Sequence, residues 1–194
     1  VIGANNGVYV YDGKKISKIA ERDGSVVELV VLDGKLYDVA AEGKNRIYET
    51  LSSRVIARRD EDISALTVYN GKLYDATGEF PKAWGKIYET LSNKVIAERE
   101  GWICVLTVIN GELYDAGYSG IYKTLSNTLI AERDFGTCAL ISDDNGKIYD
   151  AGYYGVYETL SNKIIVSGRK EIRHLAFVKG KLYYATSSAF KGRI

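Results

Sequence analysis

Methionine and glutamine do not occur in this chain, histidine and proline occur once each, and cysteine only twice. Two cysteines, Cys104 and Cys138, cannot build the disulfide framework of a small secreted scaffold. With the lone His174 they do not give the spaced ligands of a zinc motif either. They read as small buried hydrophobes, and no metal or cofactor is expected. A charge excess is missing too: 26 Lys and Arg stand against 25 Asp and Glu, without runs of one sign. That removes the basic footprint of a nucleic-acid binder. The longest apolar runs, such as "VVELVVL" (Val26 to Leu32), fall far short of the ~20 residues of a membrane span, and no basic-then-apolar leader opens the chain. The expectation is a soluble protein, with the compartment open between cytoplasmic and secreted or cell-surface. Lack of Gln and Met beside abundant Lys, Glu, Ile and Tyr resembles the composition of heat-adapted, thermostable proteins.

What is present is repetition. "DGKLYDVA", "NGKLYDAT", "NGELYDAG", "NGKIYDAG" and "KGKLYYAT" are five copies of one corner, and their glycines (Gly34, Gly71, Gly111, Gly146, Gly180) are 37, 40, 35 and 34 residues apart. Each repeat reads as four short strands. In the third these are "CVLTV" (Cys104 to Val108), "GELYDAG" (Gly111 to Gly117), "GIYKTL" (Gly120 to Leu125) and "TLIAER" (Thr128 to Arg133). Asn-Gly and Ser-Asn between them suit tight hairpins whose central residues take positive φ. Helix signals are absent, and the strands lack clean alternation, as expected where both faces are covered.

Four-stranded antiparallel units repeated at this period resemble the β-propeller proteins over essentially the whole chain. The Gly-His and Trp-Asp pairs of WD40 repeats, the double glycine of kelch repeats and the Asp-box of sialidases are all missing. The N-terminal "ANNGVYVYDGKKISKIAERDG" matches the back half of a repeat and the C-terminal "IRHLAFVKGKLYYATSSAF" a front half. The expected fold is therefore all-β, one domain over 1–194, a five-bladed propeller. Its blades fall at about 26–60, 63–100, 103–134 and 137–168, with a last blade of 172–190 closed by 4–22.

Residues present in every repeat are assigned to the fold: the Leu29, Leu66, Leu106, Leu140 and Leu175 series and the Tyr37, Tyr74, Tyr114, Tyr149 and Tyr183 series as packing. Asp38, Asp75, Asp115 and Asp150 are expected to bond turn amides or to pair with the Arg of "AER", and the "AER" ends to form a solvated rim. Cys104 and Cys138, at equivalent inner-strand positions, should lie near one another and stay reduced.

Residues that break the repeat cluster on one set of loops: Trp102 in "EGWI", Phe135 in "RDFGT", Phe80 and Trp84 in "TGEFPKAWGK", Tyr118 in "GYSG", Tyr153 and Tyr154 in "GYYG", Phe190 in "SSAFKG". Exposed aromatics on loops held by a rigid scaffold mark a binding face. Just inside it, Glu28, Arg173 and His174 are expected to meet at the closure, as an ion pair or as an anchor for a ligand carboxylate. The resulting expectation is a non-catalytic module binding a protein segment or a glycan, with self-association open. The alternatives are a structural subunit of a surface layer or filament and, third, a glycoside-acting enzyme using Glu28, Asp62 and Glu171 at the channel mouth. Short repeats leave little chain for enclosing a substrate, which counts against catalysis.

Overall fold

The computed structural model describes residues 1–40, 45–78, 84–134, 136–168 and 171–186. Its elements are all strands: β1 (Ile2–Tyr11), β2 (Ile16–Leu32), β3 (Lys35–Ala40), β4 (Arg46–Glu49), β5 (Arg54–Arg58), β6 (Ile63–Tyr69), β7 (Lys72–Thr77), β8 (Trp84–Glu89), β9 (Lys94–Glu100), β10 (Ile103–Ile109), β11 (Glu112–Gly117), β12 (Gly120–Lys123), β13 (Thr128–Ala131), β14 (Thr137–Ser142), β15 (Ile148–Gly152), β16 (Gly155–Glu158), β17 (Lys163–Ser167), β18 (Ile172–Val178) and β19 (Lys181–Thr186). They form antiparallel meanders in chain order: β1 to β5, β6 to β9, β10 to β13, β14 to β17, and the pair β18–β19. The chain falls into two compact units, Val1–Glu98 and Arg99–Ile194.

The corners follow from their residues. Asp33-Gly34, Asn70-Gly71, Asn110-Gly111 and Lys179-Gly180 all have φ between 47° and 75°, the type I′ geometry whose twist matches that of paired strands. The fourth corner is longer and is closed by Asp143, which accepts the backbone N–H groups of Asn145 and Lys147 at 2.9 Å. The Ser-Asn hairpins differ from expectation. Pairing of Lys123 with Thr128 and of Glu158 with Lys163 makes them four-residue loops, and only the last residue (Ser53, Asn93, Asn127, Asn162) takes positive φ.

The second strand of a repeat is buried on both faces, as in β7 and β11 after their first residue. In the first unit Leu32, Tyr37, Val39 and Ile47 pack with Ile63, Leu66 and Leu73 of the next sheet. In the second, Tyr114, Ala116 and Ile121 pack with Leu140 and Ile148, and Ala151 and Val156 with Ile172. The tyrosine series fades along the chain, from buried Tyr37, Tyr74 and Tyr114 to Tyr183, which is exposed on the two-stranded sheet.

Two findings depart from the sequence reading. First, β2 runs unbroken through Asp23 and Gly24, where a blade boundary was expected, so the N-terminal strands continue into the first sheet. The halves assigned to a fifth blade are each formed, β1 with the start of β2 and β18 with β19.

Second, the arginines of the "AER" ends are not a solvated rim. Arg22, Arg59 and Arg99 are each 5% exposed. Arg59 donates Nε to Asp75 Oδ2 at 2.6 Å and Nη2 to Oδ1 at 2.7 Å, a bidentate pair. Its third nitrogen reaches Asn93 Oδ1 at 2.7 Å, Thr90 donates to the same Asp75 at 2.8 Å, and the guanidinium lies 4.1 Å from the Tyr88 ring centroid. Arg22–Asp38, Arg99–Asp115 and Arg133–Asp150 repeat this arrangement with Tyr48, Tyr122 and Tyr157. The positive-φ residue of the Ser-Asn loop is thus also the guanidinium's acceptor. Arg59 ties the end of β5 to β7 of the next sheet, and Arg133 ties the end of β13 to β15. Burial raises the Asp75 and Asp115 carboxyls, against the pull of Arg59 and Arg99.

Candidate functional site

Each inner strand begins with a β-bulge. The register skips Val27 in β2, Ser64 in β6, Cys104 in β10, Cys138 in β14 and Arg173 in β18. A bulge takes one residue out of the ladder and re-aims its side chain, often beside a functional site. In the second unit three consecutive bulges carry Cys104, Cys138 and Arg173, and Glu171 links the last two. The two thiols are free, on neighbouring strands that are in contact, as expected from their equivalent positions. The Cys138 thiol also donates to Glu171 Oε1 at 3.6 Å, and Arg173 Nε donates to Glu171 Oε2 at 2.9 Å.

Aromatic side chains stand around this cluster on turns that glycine makes feasible. Gly117 pairs with Gly120 and Gly152 with Gly155, leaving two-residue turns of Tyr118-Ser119 and Tyr153-Tyr154. A Cβ on Gly117 would stand 2.0 Å from the Trp102 carbonyl oxygen, and one on Gly152 would stand 2.1 Å from that of Gly136. Both approaches are closed to any other residue. The Trp102 carbonyl accepts the Tyr118 N–H at 3.1 Å, which fixes the two aromatic residues together. The Tyr118 ring lies 3.5 Å from where a Cβ on Gly136 would be. Its hydroxyl is pushed up by burial, then by the nearby Cys104, Tyr153, Cys138 and Glu171. Trp102, Tyr118, Tyr153 and Tyr154 are 39 to 48% exposed. Tyr153 and Tyr154 line a cavity of about 490 Å³ with Glu132, Asp134 and Gly136.

Trp84 opens β8 in the first unit and is 57% exposed. Glu28, also in the first unit, has its carboxyl raised by burial. Arg173 makes its ion pair with Glu171 on its own segment, and His174 is exposed on β18. Phe80 and Phe135 lie outside the described residues, as does Phe190. Sequence reasoning placed Cys104 and Cys138 at equivalent positions and read them as small buried hydrophobes; both are only partly buried, in a bulge row that Val27, Ser64 and Arg173 complete. The signal passed over was that this row holds Val, Ser, Cys, Cys and Arg where a packing position would hold similar residues.

Comparison with known proteins assigns the architecture. No protein-family model matches the chain, and no curated protein sequence matches it. Among solved structures it is similar to a chain of the mitotic checkpoint complex (TM-score 0.70, 14% identity, 97% of this chain and 67% of that one). It is likewise similar to the computationally designed Ika8 protein (TM-score 0.64, 14% identity, 95% and 64%) and the WD40 β-propeller domain of Doa1 (TM-score 0.63, 13% identity, 89% and 64%). The fold is that of a β-propeller. The chain spans about two thirds of the length of these propeller structures.

Proposed function

We propose that this propeller is a non-catalytic binding module, and that it takes a protein segment on the loop face of its second unit. The observation that carries the reading is the presentation of Trp102, Tyr118, Tyr153 and Tyr154, partly exposed on glycine-pinned turns, around the Arg173–Glu171 pair. Aromatic and arginine side chains are the residues from which binding hot spots are built. That one similar structure is a chain of a complex supports an interaction role. Trp84 supplies a further exposed indole in the first unit. Glu171 is already held by Arg173 and Cys138, which speaks against a free catalytic acid there. A glycan is the second reading, favoured by the cavity in which two tyrosines stand beside Glu132 and Asp134.

The complementary half-repeats at the two ends support a fifth blade joined from 4–22 and 172–190. Deleting residues 1–12 is then expected to destabilise β18–β19 in hydrogen exchange, and unchanged protection there counts against the closure. For binding, replacing Trp102 with Ala should leave the thermal midpoint nearly unchanged while weakening a partner recovered from a peptide or glycan library by roughly 1 to 3 kcal/mol. A large fall in the midpoint would show instead that the indole is packing. Size analysis at rising concentration tests the structural-subunit reading, which needs assembly of the chain with itself.

A further inference from the structure

We propose that Cys104 and Cys138 form a two-thiolate site for a soft, closed-shell cation, the cuprous ion. The chain's two cysteines both fall on bulges of neighbouring inner strands, β10 and β14, out of their ladders and toward each other. Both thiols are free and only partly buried on strands in contact, so a small ion can reach them. Two sulfur donors without further ligands suit Cu(I), which soft thiolates select and which is content with two-coordinate geometry. They do not suit zinc, which requires four, and no cluster of three or more His, Cys, Asp or Glu able to hold a metal is present among the described residues.

The surroundings fit the charge that such a site creates. Two thiols and one Cu(I) give a bis-thiolate complex of charge −1 and release two protons, with no change of oxidation state. Glu171, accepting from the Cys138 thiol at 3.6 Å, is the first acceptor for that proton, and Arg173, 2.9 Å from Glu171, supplies the counter-charge. Metal replaces both thiol protons on binding, as coordination by thiolate requires.

The test is an anaerobic titration of the reduced chain with Cu(I) against a chromophoric chelator, followed by alkylation of the free thiols. One Cu(I) per chain, with both thiols protected, is the expected result. Cys104→Ser and Cys138→Ser should each abolish binding, with folding checked by circular dichroism. Glu171→Gln should keep the stoichiometry and weaken affinity roughly 10- to 100-fold, as loss of an outer-shell partner does. Equal alkylation with and without Cu(I), or a serine variant that binds as tightly as the parent, overturns the proposal. So does a metal-free chain two hydrogens lighter after the reductant is removed, because the pair is then a disulfide. If a serine variant unfolds, protection of the parent's thiols decides alone.

Discussion

Asp75→Asn keeps the shape of its side chain and removes its charge, which isolates the buried guanidinium pair as a source of stability. Asp75 accepts from Arg59 at 2.6 and 2.7 Å and from Thr90 at 2.8 Å. The amide offers one oxygen and turns an NH2 group toward a guanidinium that cannot accept. Arg59, whose side chain is 2% exposed, is left as an uncompensated buried cation with only Asn93, a backbone carbonyl and the Tyr88 ring. Breaking a buried pair from one side costs about 3–5 kcal/mol. At roughly 2–4 °C per kcal/mol for a chain of this size, the expected fall in Tm is about 6–20 °C. Urea unfolding followed by circular dichroism at neutral pH measures it. The double variant Arg59→Met with Asp75→Leu removes both charges and should recover most of the loss, since apolar replacements of buried pairs are often neutral. A loss for Asp75→Asn below about 1 kcal/mol, the range of exposed ion pairs, would refute the claim that this pair is desolvated.

Other outcomes follow from the same geometry. In three repeats a Lys at the start of the second strand or just before it pairs with a Glu on the third (Lys35–Glu49, Lys72–Glu89, Lys147–Glu158), and in one the charges are exchanged, Glu112–Lys123. Lys72→Glu should therefore lower the Tm and Glu89→Lys added to it should restore it; failure of the rescue would show that the pairing contributes nothing. Glu49, Glu89, Glu112 and Glu158 are each held below the usual carboxylate range, by Arg54, Lys72, Lys123 and Lys147 respectively. Their folded values lie below the unfolded ones, so the stabilisation is complete above the ordinary carboxylate range and fades as pH falls through the lowered values. A Lys72→Gln, Lys147→Gln variant should lose less Tm on acidification than the parent, and an identical acid profile would contradict this. Gly117→Ala, whose Cβ would stand 2.0 Å from a backbone oxygen, should cost about 1–3 kcal/mol in urea unfolding and increase the exposure of Trp102 to fluorescence quenchers.

The five corners, the strand order and the I′ turns were legible because each is written within a few consecutive residues. So was the pairing of Asp with the Arg of "AER", but not its burial. A guanidinium beside an exposed Glu reads as surface until its partner, 16 or 17 residues on, and the tyrosine beneath it are seen to close around it. The chain does hold a clue: between the fourth and fifth repeats Gly168 replaces the arginine and Tyr184 the aspartate, so both partners vanish together. The bulges were illegible because a skipped residue leaves hydrophobic spacing almost unaltered; only the odd company of Val27, Ser64, Cys104, Cys138 and Arg173 betrays the position. The unbroken β2 was missed because Asp23-Gly24 reads as a turn, although Gly24 at φ 132° is compatible with a strand that merely bends.

The buried pairs also give the chain a grammar. Arg59 and Arg133 are each carried at the end of one repeat and answered by the aspartate of the next, so such a repeat ends in a tenon and presents a mortise of the same cut. Any such repeat could follow any other, and duplication or excision of a whole one would leave every joint filled, which is how near-identical segments such as "KIYETLSNKVIAERE" and "GIYKTLSNTLIAERD" can stand side by side. Gly168 and Tyr184 are the one place where the joinery changes. They act as punctuation, distinguishing the last repeat from its predecessors in an array whose other joints are interchangeable.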